Sequence, residues 1–193
     1  RLNAEELGCA LISLSAHKFN GPKGIGALVV RAGTQLQPLQ WGGGQEQGLR
    51  AGTLPVPLIM GMAAAAELSL HDLDERQARL RALRDQLWEE LKDRNPTIQL
   101  NGALQPRLAH NLNLTVPDIS GSRLHRALRS RLACSSGSAC SRGEPSHVLR
   151  SIGRSHREAE GSLRLSLGRD TTAADIDGAI EVITTAIQTV IQR

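Results

Sequence analysis

Aromatic side chains are nearly missing from this chain of 193 residues: Phe19, Trp41 and Trp88 make up 2% of it, and there is no Tyr. Proteins that hold single-stranded nucleic acid stack its bases on aromatic rings, so a platform of that kind is all but excluded. Lysine is equally scarce, at Lys18, Lys23 and Lys92 only, and the net charge of +4 is therefore an arginine excess. It is mild and spread along the chain, which suits an occasional acidic partner better than a DNA-binding face. Three cysteines, Cys9, Cys134 and Cys140, are an odd number without framework spacing, and this predicts a reducing, cytoplasmic setting. No apolar run reaches the ~18 residues of a membrane span and no signal peptide is recognisable, so no membrane is expected. The first residue is Arg1 and strand-like sequence follows at once, as expected of a piece of something longer.

What is present alternates between strands and helices. Ala10 to Ser15 and Gly26 to Arg31 are short apolar runs that predict buried strands, joined by the turn-rich stretch from Phe19 to Gly24. Pro55 to Leu70 is apolar nearly all round, the pattern of a buried helix, whereas Asp72 to Arg94 spaces Leu73, Leu80, Leu87 and Leu91 between charges, the pattern of an amphipathic one. That shift near His71 predicts a domain boundary, giving residues 1–71 and 72–193. Further strands are expected at Thr97 to Leu100, His110 to Val116 and the alternating Leu163 to Leu167, which reads as half-buried. Ser122 to Arg131 predicts a helix with Leu124 and Leu128 inward. Thr172 to Asp175 is a capping box that opens the last helix. The fold class is α/β.

Three stretches could carry chemistry. Lys18 follows Ser15 and His17 at the end of the first strand, where α/β folds place ligands, and a lysine held there can attack an aldehyde. An ordinary exposed loop lysine is the simpler account of Lys18 taken alone. Gly42-Gly43-Gly44 leads to Arg50 and Thr53 before the apolar helix, and these could meet a phosphate or form a loop and cap. Neither glycine-rich stretch has the spacing of a nucleotide-hydrolase phosphate loop. Cys140 lies among small residues, which suits a thiol that must visit two places, whereas Cys9 lies in apolar sequence like a buried structural cysteine. A metal site from Cys134, Cys140 and His147 lacks paired spacings and a fourth ligand.

The stretches SAHKFNGPKGIGALVVR, GGGQEQGLRAGTLPVPLIMG, SSGSACSRGEPSHVLR and LRLSLGRDTTAADID, in this order, closely resemble the motifs of the cysteine desulfurases, which belong to the class V aminotransferase family. The resemblance implies a pyridoxal-phosphate transferase of fold type I. Residues 1–71 would be the C-terminal part of the cofactor-binding large domain, and residues 72–193 the small C-terminal α/β domain with the catalytic-cysteine loop. By the same resemblance, Lys18 forms the Schiff base with pyridoxal 5'-phosphate, Ser15 and His17 hold its phosphate, and Thr53 reaches the phosphate of the neighbouring subunit of a homodimer. Arg164 binds the carboxylate of L-cysteine, and Cys140 takes the sulfur as a persulfide. The sulfur then passes to an acceptor or iron-sulfur scaffold protein, with L-alanine left behind. Family members carry a further N-terminal half with other cofactor contacts. Ala51 stands where many of them have Ser, and only Ser141, Arg142 and Gly143 separate Cys140 from Glu144. Within the enzyme class the rival is a related aminotransferase or lyase, which has no use for a cysteine on a loop. The alternative outside it is a non-catalytic C-terminal fragment that dimerises or docks a partner.

Overall fold

The computed structural model describes residues 2–137 and 144–192, and the chain forms two units, residues 1–73 and 74–193. In the first unit, β1 (Leu11–Ser15) and β2 (Gly26–Val30) pair antiparallel, with Ser15 opposite Gly26. Gly26 has a steric reason: a Cβ there would lie 2.5 Å from the Leu14 carbonyl oxygen. Between the strands, Ala16–Phe19 form one 3-10 turn ended by Asn20 in the left-handed region, φ 67°. Helix α1 (Val56–His71) packs on that turn, and Gly61 lets the Pro22 ring approach, since a Cβ there would stand 3.0 Å from Pro22 Cγ.

The burial expected of this unit is not found. Leu28 and Val29 on β2 are 52% and 42% exposed, and Val56, Met60, Leu68 and Leu70 on α1 are exposed as well. Among the described residues of this unit only Ala16, Ala51 and Ala65 are buried hydrophobics. A helix that is apolar all round needs cover all round, and a two-stranded ribbon with one helix supplies it on one side only. Cys9 is also exposed, its thiol donating to the Leu7 carbonyl at 3.6 Å, so it is not a core cysteine.

The second unit has a core of its own. A three-stranded antiparallel sheet runs in the order β3 (Gln99–Leu100), β4 (Asn111–Thr115), β5 (Ser162–Ser166). Helices α2 (Leu73–Arg94), α3 (Gly121–Leu128) and α6 (Ala173–Ile191) supply the other buried faces, with short α4 (His147–Ser151) and α5 (His156–Glu160) before β5. Leu87 and Leu91 of α2, Leu124 and Leu128 of α3, and Ile180, Ile183 and Ile187 of α6 meet Leu112, Leu114 and Leu163 of the sheet in one cluster. The i, i+3, i+4 spacing of these isoleucines makes α6 a core helix, and its capping box is formed: Asp175 N–H donates to Thr172 Oγ1 at 3.2 Å, and Thr172 N–H to Asp175 Oδ2 at 2.9 Å. Those bonds hold the Asp175 carboxyl below its ordinary pKa, as the Ser155 cap of α5 does for Glu158. Arg94 of α2 pairs with Glu181 of α6. The expected alternation holds along β5 and the residue after it: Leu163, Leu165 and Leu167 are buried, Arg164 is half-buried and Ser166 is exposed, while Ser135 pairs with Arg164 as an added bridge. No single helix among the described residues is long and apolar enough to cross a membrane.

Candidate active site

The turn after β1 sorts its side chains by a simple device. Ala16 is fully buried, and its carbonyl accepts N–H bonds from Gly21, at 2.9 Å, and from Asn20. Its amide in turn donates 3.2 Å to the Ile25 carbonyl. With Ala16 fixed inward, His17 and Lys18 on the same turn are exposed, and Ser15 is half-buried at the strand end. Gly21 belongs to the device, since a Cβ there would be 2.9 Å from Ala16 Cβ. Among the described residues, the Ser15 hydroxyl, His17 imidazole and Lys18 ammonium make no hydrogen bond or ion pair. Three polar groups with unspent hydrogen-bonding capacity on one rigid turn suit an anionic carbonyl compound, and this donor set fits pyridoxal phosphate: an amine for its aldehyde, a hydroxyl and an imidazole for its phosphate.

The second glycine cluster folds as a separate loop in the same unit. Arg50 Nη1 donates to the Ala51 carbonyl at 3.0 Å, and the Gly52 amide donates to Gln45 Oε1 at 3.1 Å, so these groups serve the loop itself. Thr53 is exposed and is not the cap of α1, whose N-cap position is Pro55.

Arg164 lies in the other unit, on β5, between two strand partners. Its side neighbour on β4 is Asn113, while its backbone N–H and C=O both bond to Ser135, at 2.7 and 3.1 Å. The guanidinium is half-buried and donates through Nη2 to Ser135 Oγ at 3.2 Å, and that hydroxyl donates in turn to the Gly137 carbonyl at 2.8 Å. Ser162 Oγ donates to Ser136 O at 3.4 Å. Residues 135–137 are therefore stitched along the edge of β5. Among the described residues the rest of the Arg164 guanidinium makes no hydrogen bond or ion pair. Cys140, five residues beyond Ser135, lies outside the described residues.

Ser135 was not singled out by sequence reasoning as a partner of Arg164. Its signal, a serine opening a run of small residues, is too weak to separate from the run itself. The pair His125 and Cys134 was missed for the same reason. His125 Nε2 lies 3.3 Å from the Ser162 carbonyl, so Nε2 carries the proton and Nδ1 accepts from the Cys134 thiol at 3.6 Å. Burial pushes that thiol's pKa up. No group of three or more His, Cys, Asp or Glu able to hold a metal ion occurs among the described residues.

The strands and helices make a mixed α/β protein with an exposed lysine on a strand-end turn. A comparison of the chain with known families narrows this. The model of the aminotransferase class-V family matches residues 1–178, and the chain belongs to that family. Cysteine desulfurase IscS of Histophilus somni is 44% identical over 191 residues, 97% of this chain and 47% of the relative. The IscS of Methanosarcina thermophila is 44% identical over 190 residues, with the same shares. Among solved structures, a NifS-like protein superposes with a TM-score of 0.86 at 33% identity over 97% of this chain and 49% of its own. Another, from Rickettsia africae, gives 0.86 at 28% identity. The chain thus spans about half the length of the relatives it matches.

Proposed function

We propose that this chain is the C-terminal half of a pyridoxal-phosphate-dependent cysteine desulfurase. The observation that carries the reading is the placement of Arg164, a carboxylate-matching fork hydrogen-bonded to Ser135 five residues before the Cys140 thiol. Lys18 would hold the cofactor through its amine, Ser15 and His17 its phosphate, and Thr53 the phosphate of a second subunit. When bound, the cofactor supplies an electron sink for the carbon next to the substrate amine. Arg164 binds the carboxylate of L-cysteine bidentately and fixes which way its sulfur points. Ser135 holds Arg164 in that orientation. Lys18, freed as an amine, takes and returns the proton on the substrate carbon, with His17 beside it as a donor. The Cys140 thiolate attacks the substrate sulfur, the carbon–sulfur bond breaks with its electron pair left on carbon, and protonation there gives alanine. Cysteine and enzyme thiol thus become alanine and enzyme persulfide, with no oxidant required. The persulfide sulfur is destined for an acceptor protein, and the IscS names of the relatives favour iron-sulfur cluster assembly.

The test uses this chain joined to a family N-terminal half. Lys18→Ala should abolish cofactor absorbance. Arg164→Lys should keep it while raising KM for cysteine at least about tenfold, because the charge stays and the fork is lost. Cys140→Ser should keep it but release no sulfide, and mass spectrometry should find one added sulfur atom on Cys140 of the parent. Absorbance that survives Lys18→Ala, or turnover that survives Cys140→Ser, refutes the mechanism. A joined protein that takes up no cofactor leaves the non-catalytic reading standing.

A further inference from the structure

Helix α3 and the turn behind it carry Arg123, Arg126, Arg129 and Arg131 within nine residues, and no carboxylate occurs between Ile119 and Gly143. All four side chains are exposed. Arg123 has a use within the fold: its Nη2 donates 3.4 Å to the Val190 carbonyl in the last turn of α6, where the helix dipole favours a cation. Arg126, Arg129 and Arg131 have none, for among the described residues no ion pair or hydrogen bond occupies their guanidiniums. Arg126 and Arg129 are three apart and share a helix face, so their repulsion is uncompensated.

Two clefts adjoin at Arg126. One, of about 390 Å³, lies between α3 and α6, with Arg126 and Arg131 above a floor that includes Ala127, Val182 and Ala186. The other, of about 430 Å³, runs behind α3, where Arg126 and Arg129 meet Leu132 and Ala133 together with the polar Ser122, His125 and Cys134. Both clefts thus set apolar side chains beside arginines that have no counterion among the described residues.

We propose that this surface docks an acidic amphipathic segment of a partner protein, its carboxylates on Arg126, Arg129 and Arg131 and its aliphatic side chains in the two clefts. The guanidinium fork matches a carboxylate bidentately, and arginine around a small apolar centre is the composition of protein interfaces. A nucleic acid fits less well. A phosphodiester chain brings charge but nothing to cover the apolar side chains, neither cleft holds a Phe, Tyr or Trp ring for a base, and three free arginines fall short of the ~6–10 phosphate contacts of typical binders. The proposal uses neither Lys18 nor Cys140, so it stands or falls separately from the desulfurase reading.

The test is fluorescence anisotropy of the full chain with a labelled helical peptide of Glu and Leu in amphipathic spacing. Binding should weaken at least about tenfold in the triple variant Arg126→Glu, Arg129→Glu, Arg131→Glu, and severalfold as salt rises. The same peptide with Gln for Glu should not bind. Arg81→Glu, on an exposed face of α2, should change nothing. Thermal unfolding checks that the triple variant is folded, and the triple Gln variant, which carries no new charge, should show the same loss in smaller measure. Equal binding by the charge-reversed protein, equal binding of the Gln peptide, or tighter arginine-dependent binding of a labelled RNA oligonucleotide would each overturn the proposal.

Discussion

The two units of this chain differ in what holds them together. Residues 1–73 hold Lys18, His17, Ser15 and Thr53, yet bury only three alanines among their described hydrophobics, while residues 74–193 hold Arg164 and a cluster that includes Leu91, Leu112, Leu124, Leu163, Ile180 and Ile183, all 0% exposed. Burial of apolar area is the dominant favourable term in folding. The second unit therefore has the means to stand alone, and the first has local geometry without the core to hold it. The lesson is that a tightly specified turn needs very few atoms: Ala16, Gly21, Asn20 and Gly26 shape the turn that carries Lys18 by backbone bonds and close approach. Keeping that turn folded takes apolar surface that this half of the family fold leaves uncovered.

The largest effect expected from this contrast is separability. Residues 74–193 expressed alone should unfold cooperatively on heating, with the helix content of α2, α3 and α6, while residues 1–73 alone should show no cooperative transition by circular dichroism. A cooperative, protease-resistant 1–73 fragment would break the comparison.

A sharper version compares single residues in the 193-residue chain. Leu124→Ala or Ile183→Ala should cost about 2–5 kcal/mol, the range for emptying a core position. Leu28→Ala or Val29→Ala should stay within about 0.5 kcal/mol, because those side chains already face solvent. Chemical denaturation followed by circular dichroism measures both. Similar losses in the two sets would mean that β2 is covered after all.

The smallest effect concerns the caps, which occur in the second unit. Thr172→Ala should cost about 1 kcal/mol, a typical N-cap loss. The Asp175 and Glu158 carboxyls are held below their ordinary values by bonds from Thr172 and Ser155. A depressed folded-state pKa contributes stability that is fully present above the unfolded value and is lost as pH falls through the folded one. The melting temperature of residues 74–193 should therefore decline as pH drops below the ordinary carboxylate range, and Asp175→Asn with Glu158→Gln should flatten that decline. An unchanged slope in the double variant would remove the caps from the acid response.

Much of the architecture was legible because it is written locally. The i, i+3, i+4 run of Ile176, Ile180, Ile183 and Ile187 fixes α6 and its buried face, and Thr172 with Asp175 marks where it starts. The two strands around the Lys18 turn were legible from short apolar runs bounded by turn residues. Their exposure was not, because hydrophobicity says that a segment wants cover and cannot say whether this chain contains it. Leu28, Val29 and Met60 show that gap. The same limit explains Cys9, whose apolar neighbours are themselves exposed.

By itself, then, the sequence determined the class of fold, the order of its longer elements and the short motifs that point to Lys18, Arg164 and Cys140. Those properties depend on neighbours a few residues apart, where spacing and backbone chemistry decide. Only the tertiary structure decided that Ser135, 29 residues from Arg164 in the chain, holds its guanidinium, and that His125 faces the Cys134 thiol. It also decided that, among the described residues, Arg126, Arg129 and Arg131 stand without counterions beside two partly apolar clefts. Contacts of that kind are made by strand pairing and helix packing across long sequence separations, and no local pattern encodes which side chains they bring face to face.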